Sequence, residues 1–227
     1  MHPGRPRPRD PRDDVGGFPD VRRVVVVQIR RMTTTAAPTA TTLPPDDGHP
    51  RRVAVDGGGE VLTFLETAEE TGGARTRVAV ELAPGSGTPP HTHTTYLERF
   101  DILEGTLTVE VDGRSQELRT GAVAEVPIGV VHRFVNASGR PVRFRVTLEP
   151  ASRGFEEMQQ IGAGLAAEGA VRGHLPKDLR HLGLLLRSSD IRLAGRLRLL
   201  TPVLWVAAAI GRRQGVDRRL RERYVRW

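Results

Sequence analysis

The stretch Gly85–Gly105, "GSGTPPHTHTTYLERFDILEG", sets two histidines one residue apart and a glutamate five residues after the second. On an extended strand, residues two apart share a face, so His91 and His93 project together while Thr92 points away. The same alternation places Glu98, Phe100 and Ile102 on one face and Arg99, Asp101 and Leu103 on the other. These residues alone fit two readings: a metal cage, or exposed histidines on a polar, threonine-rich loop that precedes a strand.

The chain around this stretch is β-patterned. Between Arg52 and Glu149 come short runs separated by Gly, Pro and Asp-Gly: EVLTFLE (Glu60–Glu66), RTRVAVEL (Arg75–Leu82), YLERFDIL (Tyr96–Leu103), TLTVEV (Thr106–Val111), AVAEVP (Ala122–Pro127), HRFVNA (His132–Ala137) and VRFRVTLEP (Val142–Pro150). Their regular spacing predicts an all-β sandwich or barrel. The Asp112–Gly113 pair between alternating runs predicts a tight hairpin. In the last run Val142, Phe144, Val146 and Leu148 fall on one face, opposite Arg143, Arg145 and Thr147.

Downstream of the histidine stretch lies a second set, Gly121, Pro127, Gly129, His132 and Asn136. Pro127 and Gly129 predict a tight bend that presents His132. With both sets in order, the segment resembles the cupin superfamily, in its small single-domain bacterial form. Both signature motifs are matched position for position, the first by Gly85, His91, His93, Glu98 and Gly105. The resemblance covers the β-domain, less than half of the chain. It implies a jelly roll of two packed sheets with His91, His93, Glu98 and His132 as metal ligands. Three neutral imidazoles and one carboxylate suit a divalent transition metal (iron, manganese, nickel, zinc, copper or cobalt) and leave one or two positions for water or substrate.

Two functions follow from the resemblance. One is a dioxygenase-like oxygenase acting on a small organic molecule, with Glu98 as the catalytic residue that takes a proton. The other is a non-catalytic module that senses or stores a small molecule or metal, since the fold hosts both. Isomerase and epimerase relatives usually lack this complete ligand set. Arg99 and Asp101 depart from the family's habit of apolar or aromatic residues there, which bears on an outer face or a dimer contact. Asn136 is expected to hold a turn and Tyr96 to pack, while Phe64, Phe100, Phe134 and Phe144 are expected in the core.

Composition limits the remaining choices. With no cysteine among 227 residues, disulfides, zinc-thiolate sites and cysteine nucleophiles are excluded, which fits a cytoplasmic protein. The net charge of +7 is unevenly spread: residues 32–169 hold 12 Arg against 19 Asp/Glu, and residues 170–227 hold 14 Lys/Arg against 4. An acidic body with basic ends argues against nucleic-acid binding. Residues 1–50 are expected to be a disordered leader, with Met32 as the expected true start, residues 51–150 the cupin β-barrel domain and residues 151–227 a helical extension. In that extension "FEEMQQIGAGLAAEG" and the series Leu175, Leu179, Leu182, Leu186 predict amphipathic helices. "RLRLLTPVLWVAAAIGRR" predicts a more apolar one, too short to span a bilayer. The extension is expected to pack on the barrel or on a second subunit, giving a homodimer, ahead of peripheral contact with an anionic membrane.

Overall fold

Alternation of buried and less buried side chains, clearest over Thr76–Leu82 and Thr106–Val111, builds the β-domain. A computed structural model describes residues 30–31, 51–55, 59–173 and 175–226. The expected leader lies outside these residues, Met32 included, apart from β1 (Arg30–Arg31). The first strands of the domain are β2 (Arg52–Val55), β3 (Glu60–Glu66), β4 (Thr76–Leu82), β5 (His91–Thr92) and β6 (Leu97–Glu104). They are followed by β7 (Thr106–Val111), β8 (Arg114–Arg119), β9 (Ala122–Val126), β10 (His132–Val135) and β11 (Val142–Glu149). A seven-stranded sheet has the order β1-β9-β6-β11-β4-β3-β2, and every pairing in it is antiparallel. A five-stranded sheet contains β5-β10-β7-β8. Asp112 and Gly113 both have positive φ, 50° and 75°, as the predicted hairpin between β7 and β8 requires.

The two sheets face each other across one apolar core. Leu62, Val78, Phe100, Phe144 and Val146 come from the larger sheet, and Leu107, Val109 and Phe134 from the smaller. Phe134 packs edge-on against Phe100 and Phe144 at 5.8 and 5.3 Å between ring centroids. The outer face of β6 carries Arg99, Asp101 and Leu103, as the alternation predicts. Asp101 points away from the core yet is only 5% exposed, because the guanidinium groups of Arg99 and Arg145 cover and bind its carboxylate. Leu103, on the same face, remains exposed.

The C-terminal extension folds back onto this domain. It comprises α1 (Arg153–Ala167), the short pair β12 (Val171–Arg172) and β13 (Leu175–Pro176), and α2 (Leu179–Ser188). Then come β14 (Arg192–Leu193), a 3₁₀ turn (Gly195–Leu200), α3 (Thr201–Arg213) and α4 (Val216–Tyr224). Leu175 therefore does not belong to the helix that its spacing suggested. Asp178 caps α2 by accepting a hydrogen bond from the Arg180 amide, so the helix begins at Leu179. The long apolar helix expected near the C-terminus is likewise split. Pro202 sits in the first turn of α3, where proline is favoured, and the residues before it wind as a 3₁₀ turn.

Glycines let the helices approach closely. A β-carbon on Gly183 would lie 2.2 Å from the Leu204 carbonyl oxygen, and one on Gly164 would overlap the Tyr224 ring. A second apolar cluster, including Ile161, Leu165, Leu184, Ala208 and Leu220, joins the four helices. Buried Glu156 anchors α1 to the barrel: its carboxylate accepts from the Ala68 amide at 2.7 Å and from the Thr76 hydroxyl. The opposite side of α3 stays uncovered, with Trp205 and Val206 at 55% and 61% exposure. No helix among the described residues is long and apolar enough to cross a membrane.

Two outcomes are expected from these contacts. Burial raises the Glu156 carboxyl above its ordinary value of 4.5, against the pull of its Thr76 and Ala68 hydrogen bonds. Stability contributed here is full below 4.5 and falls as pH rises through the raised folded value. Glu156→Gln keeps an acceptor oxygen, so urea unfolding at neutral pH should show it equal to or more stable than wild type, with the advantage gone in acid. Gly183→Ala should lower stability by about 1–3 kcal/mol through overpacking against α3, despite a helix-propensity gain of about 1 kcal/mol, read by thermal melting.

Candidate metal centre

His91 and His132 are directly opposed Cα partners on neighbouring antiparallel strands β5 and β10. His93 follows just beyond the end of β5, and its carbonyl accepts a hydrogen bond from the Gly129 amide at 2.8 Å. Gly129 adopts φ +80°, so the bend predicted from Pro127 and Gly129 joins both histidine segments. Glu98 enters from the other sheet, on β6, paired with Val126 and Leu148. All four side chains are buried, and one ligand atom from each lies within 4.8 Å of the others. The cluster thus spans the two sheets at the end where β5 meets β10.

Backbone carbonyls fix all three rings. The Nδ1 atoms of His91, His93 and His132 lie 2.8, 2.7 and 3.0 Å from the carbonyl oxygens of Pro89, Tyr96 and Val130. A carbonyl can only accept, so each Nδ1 carries a proton and each Nε2 faces the centre, a free donor atom for a metal in the neutral ring and an N–H toward Glu98 in the protonated one. This is the arrangement by which metal-binding histidines are usually oriented. Glu98 Oε2 lies 2.8 Å from His132 Nε2 and 3.3 Å from His93 Nε2. Burial opposes ionisation of Glu98, but hydrogen bonds and charge from His132 and His93 override it and hold the carboxyl well below the usual range. Burial also works against a charged His132, yet contact with Glu98 raises its value. At His91 burial, reinforced by the charge of His132, outweighs the opposing charge of Glu98 and pushes it down to about 4. Buried nitrogen and oxygen donors converging in this way fit a divalent transition metal.

Several supports escaped sequence reasoning. The threonines after His93 are bonded to the tail: Asp190 accepts from the Thr94 amide at 2.6 Å and from the hydroxyls of Thr94 and Thr95 at 3.0 Å. Strand β14 pairs with β5, setting Leu193 opposite His91, and the Ala194 amide donates to the Pro90 carbonyl at 2.9 Å. Tyr96 packs as expected, stacking on His93 at 4.1 Å, and its hydroxyl also donates to the Ser189 carbonyl at 3.1 Å. Asn136 holds its turn, donating to the carbonyls of Leu82 and Arg140 at 2.9 and 2.8 Å. The Asn136 carbonyl accepts from the Gly85 amide at 2.8 Å, tying the end of the second motif to the start of the first. No periodicity marks Asp190, which acts about a hundred residues from its partners; its one local signal is a non-glycine φ of +57°.

His91 and Glu98 form part of the lining of a cavity of about 510 Å³. Barrel residues such as Leu62, Val80 and Val146 make one wall, and Met158, Leu182 and Leu186 of the extension make the other. A volume of this size lies within the range of ligand pockets, about 300–1,000 Å³.

Residues 78–148 match the cupin domain family, a span that contains all four clustered residues. The β-domain is a cupin domain. Solved structures similar to this chain include KdgF from a Halomonas species, at 18% identity and a TM-score of 0.38, covering 42% of this chain and 82% of that one. A predicted oxalate decarboxylase from Thermotoga maritima shows 23% identity and a TM-score of 0.40, covering 44% and 90%. The polyketide cyclase RemF from Streptomyces resistomycificus shows 26% identity and a TM-score of 0.37, covering 40% and 65%. Their named activities differ. No curated protein matches the chain.

Asp190→Ala should weaken cobalt(II) binding about tenfold, as loss of a supporting hydrogen-bond partner typically does, while the β-domain stays folded. Competition with a chromogenic chelator measures the affinity, and an unchanged value would show that the tail contact does not support the centre.

Proposed function

We propose that this cupin binds one divalent transition metal through His91, His93, Glu98 and His132 and acts on a small oxygen-bearing organic molecule, as an oxygenase of the dioxygenase-like type. The observation that carries the reading is a four-residue buried cluster that opens, through His91 and Glu98, onto a ligand-sized cavity. A metal held there would supply Lewis acidity to polarise a substrate oxygen. The chain's own groups do the rest. Glu98 lies on the cavity wall and is the one carboxylate of the cluster, so it is the group placed to take a proton from a bound molecule. Tyr96 and the carbonyls of Pro89, Tyr96 and Val130 keep the imidazoles in one orientation. Apolar walls limit water at the reacting atoms.

One observation favours a second reading, a binding module without turnover. Among the described residues, the ionisable side chains lining the cavity besides Glu98 and His91 are Glu60 and Arg133, and Arg133 is committed to an ion pair with Glu110 at 2.8 Å. With Arg133 so engaged, Glu60 is the one further acid in the described lining, and it comes from β3 rather than from the strands that carry the cluster.

Protein purified without an affinity tag should carry close to one transition metal per chain, and His93→Ala should lose it. Substoichiometric metal in both proteins overturns the site. Ligand extracted from the pure protein and identified by mass spectrometry then separates the two readings. Dioxygen uptake with that ligand supports the oxygenase, and its recovery unaltered from the metal-loaded protein in air decides for the binding module. A homodimer belongs to the same proposal, because the exposed side of α3 around Trp205 and Val206 is an apolar surface available to a second copy. Light scattering should give a mass near twice 24.9 kDa; a monomer that floats with anionic vesicles would assign that surface to a membrane instead.

A further inference from the structure

The cavity beside the metal cluster is built only half by the cupin fold. Its second wall belongs to the extension, which is joined to the barrel at several points. Glu156 anchors α1, Asp190 binds the threonine turn, and β14 pairs with the strand that carries His91. The joined wall is apolar, with Met158, Leu182 and Leu186 facing barrel residues Leu62 and Val146 across the space. Leu197 and Leu200 of the 3₁₀ turn also line it and are 39% and 48% exposed, so they mark its mouth.

Most of the lining is apolar; its polar side chains among the described residues are His91, Glu98, Thr88, Gln159, Glu60 and Arg133, the last paired with Glu110. A sugar or a small polyacid would bury several hydroxyls or carboxylates against leucine, valine and methionine side chains that offer no hydrogen bonds, and such burial is costly. An apolar body with a single oxygen-donor head avoids that cost. A divalent ion held by one carboxylate and neutral imidazoles keeps a net positive charge, which favours an anionic head.

We propose that the cavity takes an amphiphilic organic anion, with a carboxylate or enolate head at the His91–Glu98 end and a hydrocarbon chain or ring system between the barrel and helices α1 and α2. The proposal rests on the metal reading for its head group and on the tail-built wall for its body. The extension is then the specificity-determining part of the site: the barrel supplies the metal corner, and the tail decides what can lie beside it. Gly162, on the cavity face of α1, is the natural place to block the space. A β-carbon there would meet only Val55 Cγ1, at an ordinary 3.8 Å, and φ is helical, so a larger side chain projects into the cavity without displacing backbone.

The test uses the full chain loaded with cobalt(II), titrated with azide and with butanoate, hexanoate and octanoate. Calorimetry reads affinity, and cobalt visible absorption reads contact at the metal. Each buried methylene should strengthen binding about fourfold, so octanoate should bind roughly two-hundredfold tighter than butanoate. The cobalt spectrum should shift with every acid. Gly162→Leu should abolish the gain with length while leaving azide affinity and the melting temperature unreduced. Leu186→Gln, which makes one wall polar without filling the space, should weaken octanoate severalfold and spare azide. Equal affinities for butanoate and octanoate, or a Gly162→Leu protein that binds octanoate as wild type does, would overturn the proposal. Failure of cobalt to bind would end the metal reading and the head-group assignment with it. The length gradient measured by calorimetry on the metal-free protein would then decide the apolar half separately.

Discussion

The carboxylate of Glu98 is buried between two sheets and stays ionised because imidazoles of the facing sheet hydrogen-bond to it at 2.8 and 3.3 Å. An unpaired charge in that place would cost several kcal/mol or force protonation. Much of the local architecture serves this one requirement. β6 must run with Glu98 inward, which also sends Phe100 and Ile102 inward and Arg99 and Asp101 outward. β5 and β10 must pair in the register that opposes His91 and His132. A slip of one residue would turn those side chains to the other face and leave the carboxylate without partners. Polar satisfaction at the centre and apolar packing around it therefore select the same register.

The same centre explains why the tail is more than an appendage. A strand of two residues, β5, is too short to hold a histidine rigidly by its own pairing. It lies between β10 on one side and β14 of the tail on the other, and the turn after it is bonded to Asp190. Asp190 is held below the usual carboxylate range: burial works against this, and the Thr94 and Thr95 hydrogen bonds outweigh it. Tyr96 carries the connection inward, from the Ser189 carbonyl to the face of the His93 ring. The helices that make these contacts are themselves close-packed through Gly154, Gly164 and Gly183, so the tail reaches the cluster as one packed unit.

Much of the fold and the cluster was legible in the sequence, and for a physical reason. Strand faces follow a two-residue period, so His91, Glu98, Phe100 and Val142–Leu148 could be oriented from local pattern alone. The motif spacings then supplied what local pattern lacks, the long-range meeting of His132 with the other three. Other features depended on tertiary contacts with no local signature. Asp101 reads as a solvent-facing charge, and only the arrival of Arg145 from β11 makes its burial tolerable. Thr94 and Thr95 read as polar loop residues because their partner lies in the extension. Leu175 fits a helical period that Asp178 interrupts by capping the next helix. The cavity was invisible for the same reason: its walls come from segments that are each amphipathic in the ordinary way, and apolar residues that line a space look in sequence like residues that fill a core.

A buried carboxylate and imidazole could in principle be a structural ion pair, but the arrangement asks for more than that. One histidine would satisfy Glu98, whereas three converge, and each has its Nδ1 bound to a carbonyl so that Nε2 faces the centre. Three buried rings within one cluster, with His91 kept neutral chiefly by burial, add desolvation cost without adding a charge partner. Replacing such a group by leucine and valine would ordinarily be neutral or stabilising, and the surrounding core shows that such residues pack there readily. A set of buried donors that is oriented from outside by backbone carbonyls and opens on one side to a ligand-sized space is one that could hold a metal ion. A metal ion bearing a small molecule satisfies every one of those features, and an ion pair satisfies only the first contact of Glu98.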